Sequence, residues 1–231
     1  MAAFVELLTR HGQAITEQEA RRPMGLHKRD HIRAILSDAS PTLVDALYEE
    51  FLPLQTELLK DHCELIPGVL DTVERLRERG IPFACTTGFV SAMLRESIPA
   101  ITRAGFAPEI FVTPDMVGDQ GRPAPWMMFH AARHLGVYPM SRIVKVGDTP
   151  LDVDEGRNAG TWTVSVVESG NEVGLSRAQL ASLSPRERRA AIASARIRLE
   201  AARPHYLIAS VADLPPILDD IERRIEQGEK P

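Results

Sequence analysis

An α/β fold is what this sequence predicts: a parallel, Rossmann-like sheet covered by helices, with a small helical module in front of it. Three observations carry the prediction. From Ile66 onward, short apolar runs alternate with stretches of helical spacing, whereas the first third of the chain shows helical spacing only. Between them, Ile66-Pro67-Gly68 marks the change of pattern. Finally, Ile143 to Val146 reads as a short buried strand that Gly147 ends and from which Thr149-Pro150 opens a helix, so polar residues collect at a strand's carboxyl end.

Taken in order, Phe4, Val5, Leu7 and Leu8 form the apolar face of an opening helix that Gly12 stops. Thr16-Glu17-Gln18-Glu19 is a capping pattern for a short acidic helix ending before Pro23. Ile32, Ile35 and Leu36 continue a third helix. A fourth covers 41–59, with Leu43, Leu47, Phe51, Leu54 and Leu58 expected on its buried side. Residues 1–65 are thus a helical domain and 66–231 an α/β domain. In the second, helices are expected over 69–79, 90–104, 126–136, 151–160, 177–183, 185–202 and 214–227. Strands are expected over 81–86, 110–112, 143–146, 162–167 and 206–208. The arginine-rich helix between Arg186 and Arg198 reads as a solvated face.

The 231 residues are 44% hydrophobic, enough for a sizeable core, and 26% charged with a formal net charge of -5. That balance argues against nucleic acid or an anionic membrane as partner. No apolar run reaches the roughly 18 residues of a membrane span, and the N-terminus lacks a signal pattern, so a cytoplasmic location is expected. Cys63 and Cys85 have no metal-site spacing; Cys85, inside an apolar strand, is expected in the core.

Polar sites recur at strand ends: Thr86-Thr87-Gly88, Gly121-Arg122-Pro123, and Gly147-Asp148-Thr149-Pro150-Leu151-Asp152. A phosphoryl site needs hydroxyl or backbone donors for oxygens, a cation against developing charge, and a metal held by carboxylates. These sites supply one of each. On spacing alone, Asp148 and Asp152 suit either a shared magnesium ion or a turn residue followed by a first-turn helix acid.

The order of these motifs resembles that of the haloacid dehalogenase superfamily. Met24-Gly25-Leu26-His27-Lys28-Arg29-Asp30-His31, with Gly121-Arg122-Pro123-Ala124-Pro125-Trp126-Met127, Leu135-Gly136-Val137-Tyr138-Pro139-Met140 and Glu155-Gly156-Arg157-Asn158-Ala159-Gly160-Thr161-Trp162-Thr163-Val164, is similar to its phosphonoacetaldehyde hydrolase family. The likeness runs over nearly the whole chain. It implies an α/β core with a helical cap, and hydrolysis of the phosphorus–carbon bond of phosphonoacetaldehyde to acetaldehyde and phosphate. It implies that Lys28 forms a Schiff base, that Met24 and His31 assist proton transfer, that Thr87, Gly88 and Arg122 bind phosphate, and that Asp148 and Asp152 hold Mg2+. A homodimer through the cap is implied as well. Without the Lys28 octapeptide, the same motifs would suit a general phosphatase.

Phe89 stands where relatives often carry tyrosine, so no hydroxyl is expected there. The resemblance also implies a nucleophilic aspartate at the end of a first core strand, in a segment that this sequence lacks. Asp30, Asp61 and Asp115 do not follow an apolar strand with the required turn, and none is expected to replace it. The expectation is therefore that the nucleophile lies upstream of Met1, and that the sheet has a gap at its first strand. The alternative is a non-catalytic homologue that binds phosphate or phosphonate.

Overall fold

A computed structural model describes residues 2–59 and 64–231; Asp61 and Cys63 lie outside the described residues. The helical module contains α1 (Ala2–Arg10), α2 (Glu17–Arg21), α3 (Lys28–Ile35) and α4 (Pro41–Leu59). The cap of α2 forms as its sequence dictates: Glu19 N donates to Thr16 Oγ1 at 3.2 Å, and Thr16 N donates to Glu19 Oε2 at 2.8 Å. Phe4, Leu7 and Leu8 of α1 meet Ile32 of α3 and Val44, Leu47 and Phe51 of α4 in one apolar cluster. Leu43 is not part of it and is 44% exposed. The buried stripe of α4 runs through Val44, Leu47, Tyr48 and Phe51 at helical spacing, and Leu43 falls one residue, about 100°, off that stripe.

The second part of the chain runs α5 (Val69–Glu78), β1 (Cys85–Thr86), α6 (Ser91–Arg103), β2 (Phe111–Val112), α7 (Trp126–Leu135), β3 (Val144–Gly147), α8 (Pro150–Ala159) and β4 (Trp162–Val166). It closes with α9 (Arg177–Ser182), α10 (Pro185–Ala201), β5 (Tyr206–Ile208) and α11 (Leu214–Glu226). Every strand pairing is parallel, as the α/β alternation requires. β4 is buried along its whole length, between β3 and β5, and Trp162, Val164 and Val166 anchor a cluster with Leu214 and Ile221 of α11.

Hydrogen bonding divides the strands into two sheets, β1-β2 and β3-β4-β5. Among the described residues, β1 pairs only with β2, and β3 only with β4 on this side of the sheet. Side chains bridge the facing edges: Lys145 Nζ of β3 donates to Thr86 Oγ1 of β1 at 2.7 Å, and Arg122 Nη2 donates to the Thr86 carbonyl at 2.9 Å. Beta pairing in β1 is shorter than the expected 81–86. Its ladder has a single neighbour, β2, of two residues, so only Cys85 and Thr86 find register partners in Phe111 and Val112.

The module sits directly on the α/β part. Val90 and Met93, at the start of α6, belong to the same buried cluster as Phe4 and Phe51. Arg21 Nη1 donates to Asn171 Oδ1 at 3.1 Å across the two parts. Gly25, with φ of +101°, lies so close to the loop before α8 that a Cβ would stand 2.9 Å from Thr149 Oγ1. No helix among the described residues is long and apolar enough to cross a membrane.

Candidate active site

The site forms where strand ends meet the first turn of α3. β3 delivers Asp148 just past its carboxyl end, and α8 delivers Asp152 one turn later. This needs a glycine just before Asp148: a Cβ on Gly147 would lie 2.2 Å from Asp152 Cβ. Asp152 caps its own helix, accepting from Thr149 N at 3.1 Å and Thr149 Oγ1 at 2.7 Å on Oδ2. Its Oδ1 faces Arg122 Nε and Lys145 Nζ, each at 3.1 Å. Burial works against its charge, yet Arg122 and Lys145 hold its carboxyl well below the usual carboxylate range.

Glu155, one turn further along α8, is 0% exposed. Its Oε2 lies 2.9 Å from Arg122 Nε and 2.6 Å from Lys145 Nζ, while Oε1 is buried with no partner in the structure. Two cations and two anions thus interlock around Thr86. Desolvation opposes the Arg122 charge, but Asp152 and Glu155 outweigh it and push its pKa further up, so this guanidinium stays protonated. Sequence reasoning finds Arg122 and Asp152 but misses Lys145, Glu155 and the role of Thr86. Signals for the first two exist: Lys145 is the one charge within an apolar strand, and Glu155 follows Asp152 by three residues, on the same helix face.

Asp148 has different surroundings. Its Oδ2 accepts from Asn171 N at 2.8 Å, and no side chain among the described residues donates to its carboxylate. Burial, then the nearby Asp152 charge, raise its pKa. A buried carboxylate beside another, lacking a basic partner of its own, is a donor set that a hard divalent cation relieves, so the residues fit magnesium. Among the described residues no group of three or more His, Cys, Asp or Glu side chains gathers as a protein-only metal cage.

Thr87 and Gly88 follow β1. Thr87 Oγ1 accepts from Phe89 N at 3.2 Å, which shapes the turn. Gly88 is pressed against the loop before α3, where a Cβ would lie 2.8 Å from the Leu26 carbonyl oxygen. Thr86, rather than Thr87, binds Arg122 directly.

Lys28 opens α3 and is 4% exposed. Burial, then the Arg122 charge, lower its pKa to about 8. The positive end of the α3 dipole acts in the same direction. Its Nζ lies 5.1 Å from the Phe89 ring centroid and 5.8 Å from that of Phe4, and no carboxylate among the described residues pairs with it. His31, one turn on, is fully buried and stacks on Phe4 at 3.9 Å between centroids. Its Nε2 donates to the Ala20 carbonyl at 2.7 Å, leaving Nδ1 as a buried acceptor without a partner. Burial, then Lys28, push its pKa down to about 3, so the imidazole is neutral. Met24 is half-buried in the turn before α3, where its N donates to the Arg21 carbonyl at 2.9 Å.

The remaining aspartates considered earlier have structural occupations. Asp30 pairs with Arg33 on the exposed face of α3, and Asp115 accepts from Ser91 N at the start of α6.

Acidic, basic and hydroxyl side chains thus gather at the strand ends, against a helical module carrying a buried lysine. The family model of haloacid dehalogenase-like hydrolases matches residues 2–160, and the chain belongs to that class. Within it the chain belongs to the phosphonoacetaldehyde hydrolase family. It is 41% identical to the phosphonoacetaldehyde hydrolase of Bordetella pertussis, over 99% of this chain and 87% of the relative. It is 37% identical to that of Nitratidesulfovibrio vulgaris, over 100% of this chain and 87% of the relative. The crystal structure of a phosphonoacetaldehyde hydrolase-like protein from Oleispira antarctica superposes with a TM-score of 0.96 at 36% identity. That match covers 100% of this chain and 88% of the other.

Proposed function

We propose that this hydrolase cleaves the phosphorus–carbon bond of phosphonoacetaldehyde, giving acetaldehyde and phosphate through an imine on Lys28. The observation that carries the reading is Lys28 itself: an amine buried at the module's contact with the strand ends, with a lowered pKa and no acid partner among the described residues. A carbanion is a poor leaving group. A lysine that is partly neutral near pH 7 can add to the substrate aldehyde and lose water to form an imine. The protonated imine then accepts the electron pair of the breaking phosphorus–carbon bond while an oxygen nucleophile takes the phosphoryl group, namely the aspartate that the family resemblance implies and no described residue replaces, with water as the final acceptor; the carbon departs as an enamine rather than as a carbanion. Protonation of the enamine carbon gives the imine of acetaldehyde, and its hydrolysis by water returns acetaldehyde and the free amine.

The other residues divide the remaining work. Arg122, permanently charged and held by Asp152 and Glu155, faces the phosphoryl oxygens, with Thr87 and Gly88 supplying hydroxyl and backbone donors. His31, neutral and with no partner on Nδ1 among the described residues, can accept a hydrogen bond beside Lys28 in the condensation steps that the resemblance has it and Met24 assist, and its lowered pKa keeps it from holding the proton. Asp148 with Asp152 would hold magnesium, which when bound supplies positive charge against the phosphoryl oxygens.

A second reading, a pocket that binds phosphate or phosphonate without turnover, is favoured by one observation. Among the described residues no aspartate stands in for the nucleophile, because Asp30 pairs with Arg33 and Asp115 accepts from Ser91 N. Turnover assays distinguish the readings. Phosphate release from phosphonoacetaldehyde that Lys28→Arg abolishes, while simple phosphate esters are unaffected, supports the proposal. Equal activity of both proteins on both substrates points to a general phosphatase, and magnesium-dependent binding without turnover points to the binding protein.

A further inference from the structure

Among the described residues no carboxylate pairs with Lys28, the partner that normally holds a buried ammonium. The charged and titratable groups that face it are Arg122 from the strand-end network, and His27 and His31 from its own helix and the residue before it. None of them is an anion. Two aromatic rings remain as its attractive partners, and they arrive from different parts of the molecule. Phe4 belongs to α1 of the helical module, whereas Phe89 follows β1. Both centroids lie within the roughly 6 Å at which a ring's negative face attracts a cation. Phe4 is itself held from both sides, by His31 at 3.9 Å and by Phe51 at 4.3 Å between centroids.

We propose that Phe4 and Phe89 are positioning residues that clamp the Lys28 amine between the helical module and the strand ends, taking the place of a carboxylate. The clamp has a chemical logic. A carboxylate at this distance would bind the ammonium tightly and keep the amine from becoming nucleophilic. A pair of ring faces orients the same group and releases its proton readily. Because one ring comes from each part, the amine acquires both partners only when the module is seated.

The proposal rests on the reading of Lys28 as the reactive amine, but its test does not. The chain has lysines only at 28, 60, 145 and 230, so the full-length protein carrying 13C-labelled lysine gives a spectrum in which Lys28 is assigned by its loss in Lys28→Arg. Removing either ring face while keeping an apolar side chain withdraws stabilisation from the ammonium, so the proton leaves at lower pH. Phe89→Leu and Phe4→Leu should each lower the Lys28 titration midpoint by roughly half to one pH unit, and Phe89→Tyr and Phe4→Tyr should leave it in place. A merely structural role would move the melting temperature and not the midpoint. Should the fully buried Phe4→Leu variant fail to fold, the half-buried Phe89 decides alone. Unchanged midpoints in the leucine variants overturn the clamp. Failure of an aldehyde to be trapped on wild-type Lys28 counts instead against the reactive-amine reading.

Discussion

Lys28 is held where its charge is disfavoured, and that has a consequence for stability as well as chemistry. Its folded pKa of about 8 lies below the ordinary value of 10.5. Below about pH 8 both folded and unfolded chains carry the proton, and the folded state bears the full cost of burying it. Between about 8 and 10.5 the unfolded chain keeps a proton that the folded chain has released, so stability rises with pH across that window. Lys28→Met should therefore be more stable than wild type at pH 7, by on the order of 2 kcal/mol, with the advantage shrinking as pH approaches 10.5. Chemical denaturation at several pH values checks this. Glu155→Gln should do the opposite. It removes one of the two anions balancing Arg122 and Lys145, and a buried pair broken on one side costs about 3 kcal/mol. Much of this residue-level picture is legible in the sequence. Lys28, Arg122, Asp148 and Asp152 stand out through motif and spacing, but Lys145 and Glu155 show their part only when the fold brings β3 and α8 against Thr86.

Elements set how the lysine meets the strand ends. α2 carries Arg21 to Asn171, whose backbone N in turn bonds Asp148, so a contact from the helical module ends one residue from the candidate metal position. Arg21→Met should cost only about 1 kcal/mol of stability. It should nevertheless speed amide hydrogen exchange in 21–27 and 170–174 more than elsewhere. The helices themselves are easy to read from sequence because caps and apolar stripes are local signals: the cap of Thr16 with Glu19 forms as expected, and Thr149-Pro150 opens α8 as expected, with Asp152 completing a cap there as well. The strands are harder. Residues 81–84 have the composition of a strand but only one backbone bond to the neighbour, Glu109 N to the Phe83 carbonyl at 3.0 Å, because pairing depends on the neighbour across the sheet and β2 is only two residues long. Leu43 shows the same limit on a helix, where being off the buried stripe by one residue suffices to expose it.

At the scale of the whole molecule, the two sheets share no ladder among the described residues; Lys145 of β3 reaches Thr86 of β1, and Arg122 ties Thr86 to Asp152 and Glu155 of α8. Amides on the facing edges of β1 and β3 should exchange faster than those shared by β3, β4 and β5, a contrast that exchange mass spectrometry reads directly. The α/β alternation that announces this architecture is a global property of the sequence, and the helical module is equally plain from the absence of strand patterns before Ile66. How closely the two parts join is not readable there. Val90 and Met93 look like ordinary residues of a core helix until they appear in the module's own apolar cluster. The site depends on that junction, because Lys28 comes from one side and Arg122 and Phe89 from the other.

The most direct test is to incubate the protein with phosphonoacetaldehyde, reduce with borohydride and map the adduct by peptide mass spectrometry. A reduced adduct on the peptide containing Lys28, absent without aldehyde and lost in Lys28→Arg, is the predicted result. Modification spread over Lys145 and Lys230 with Lys28 untouched would contradict it.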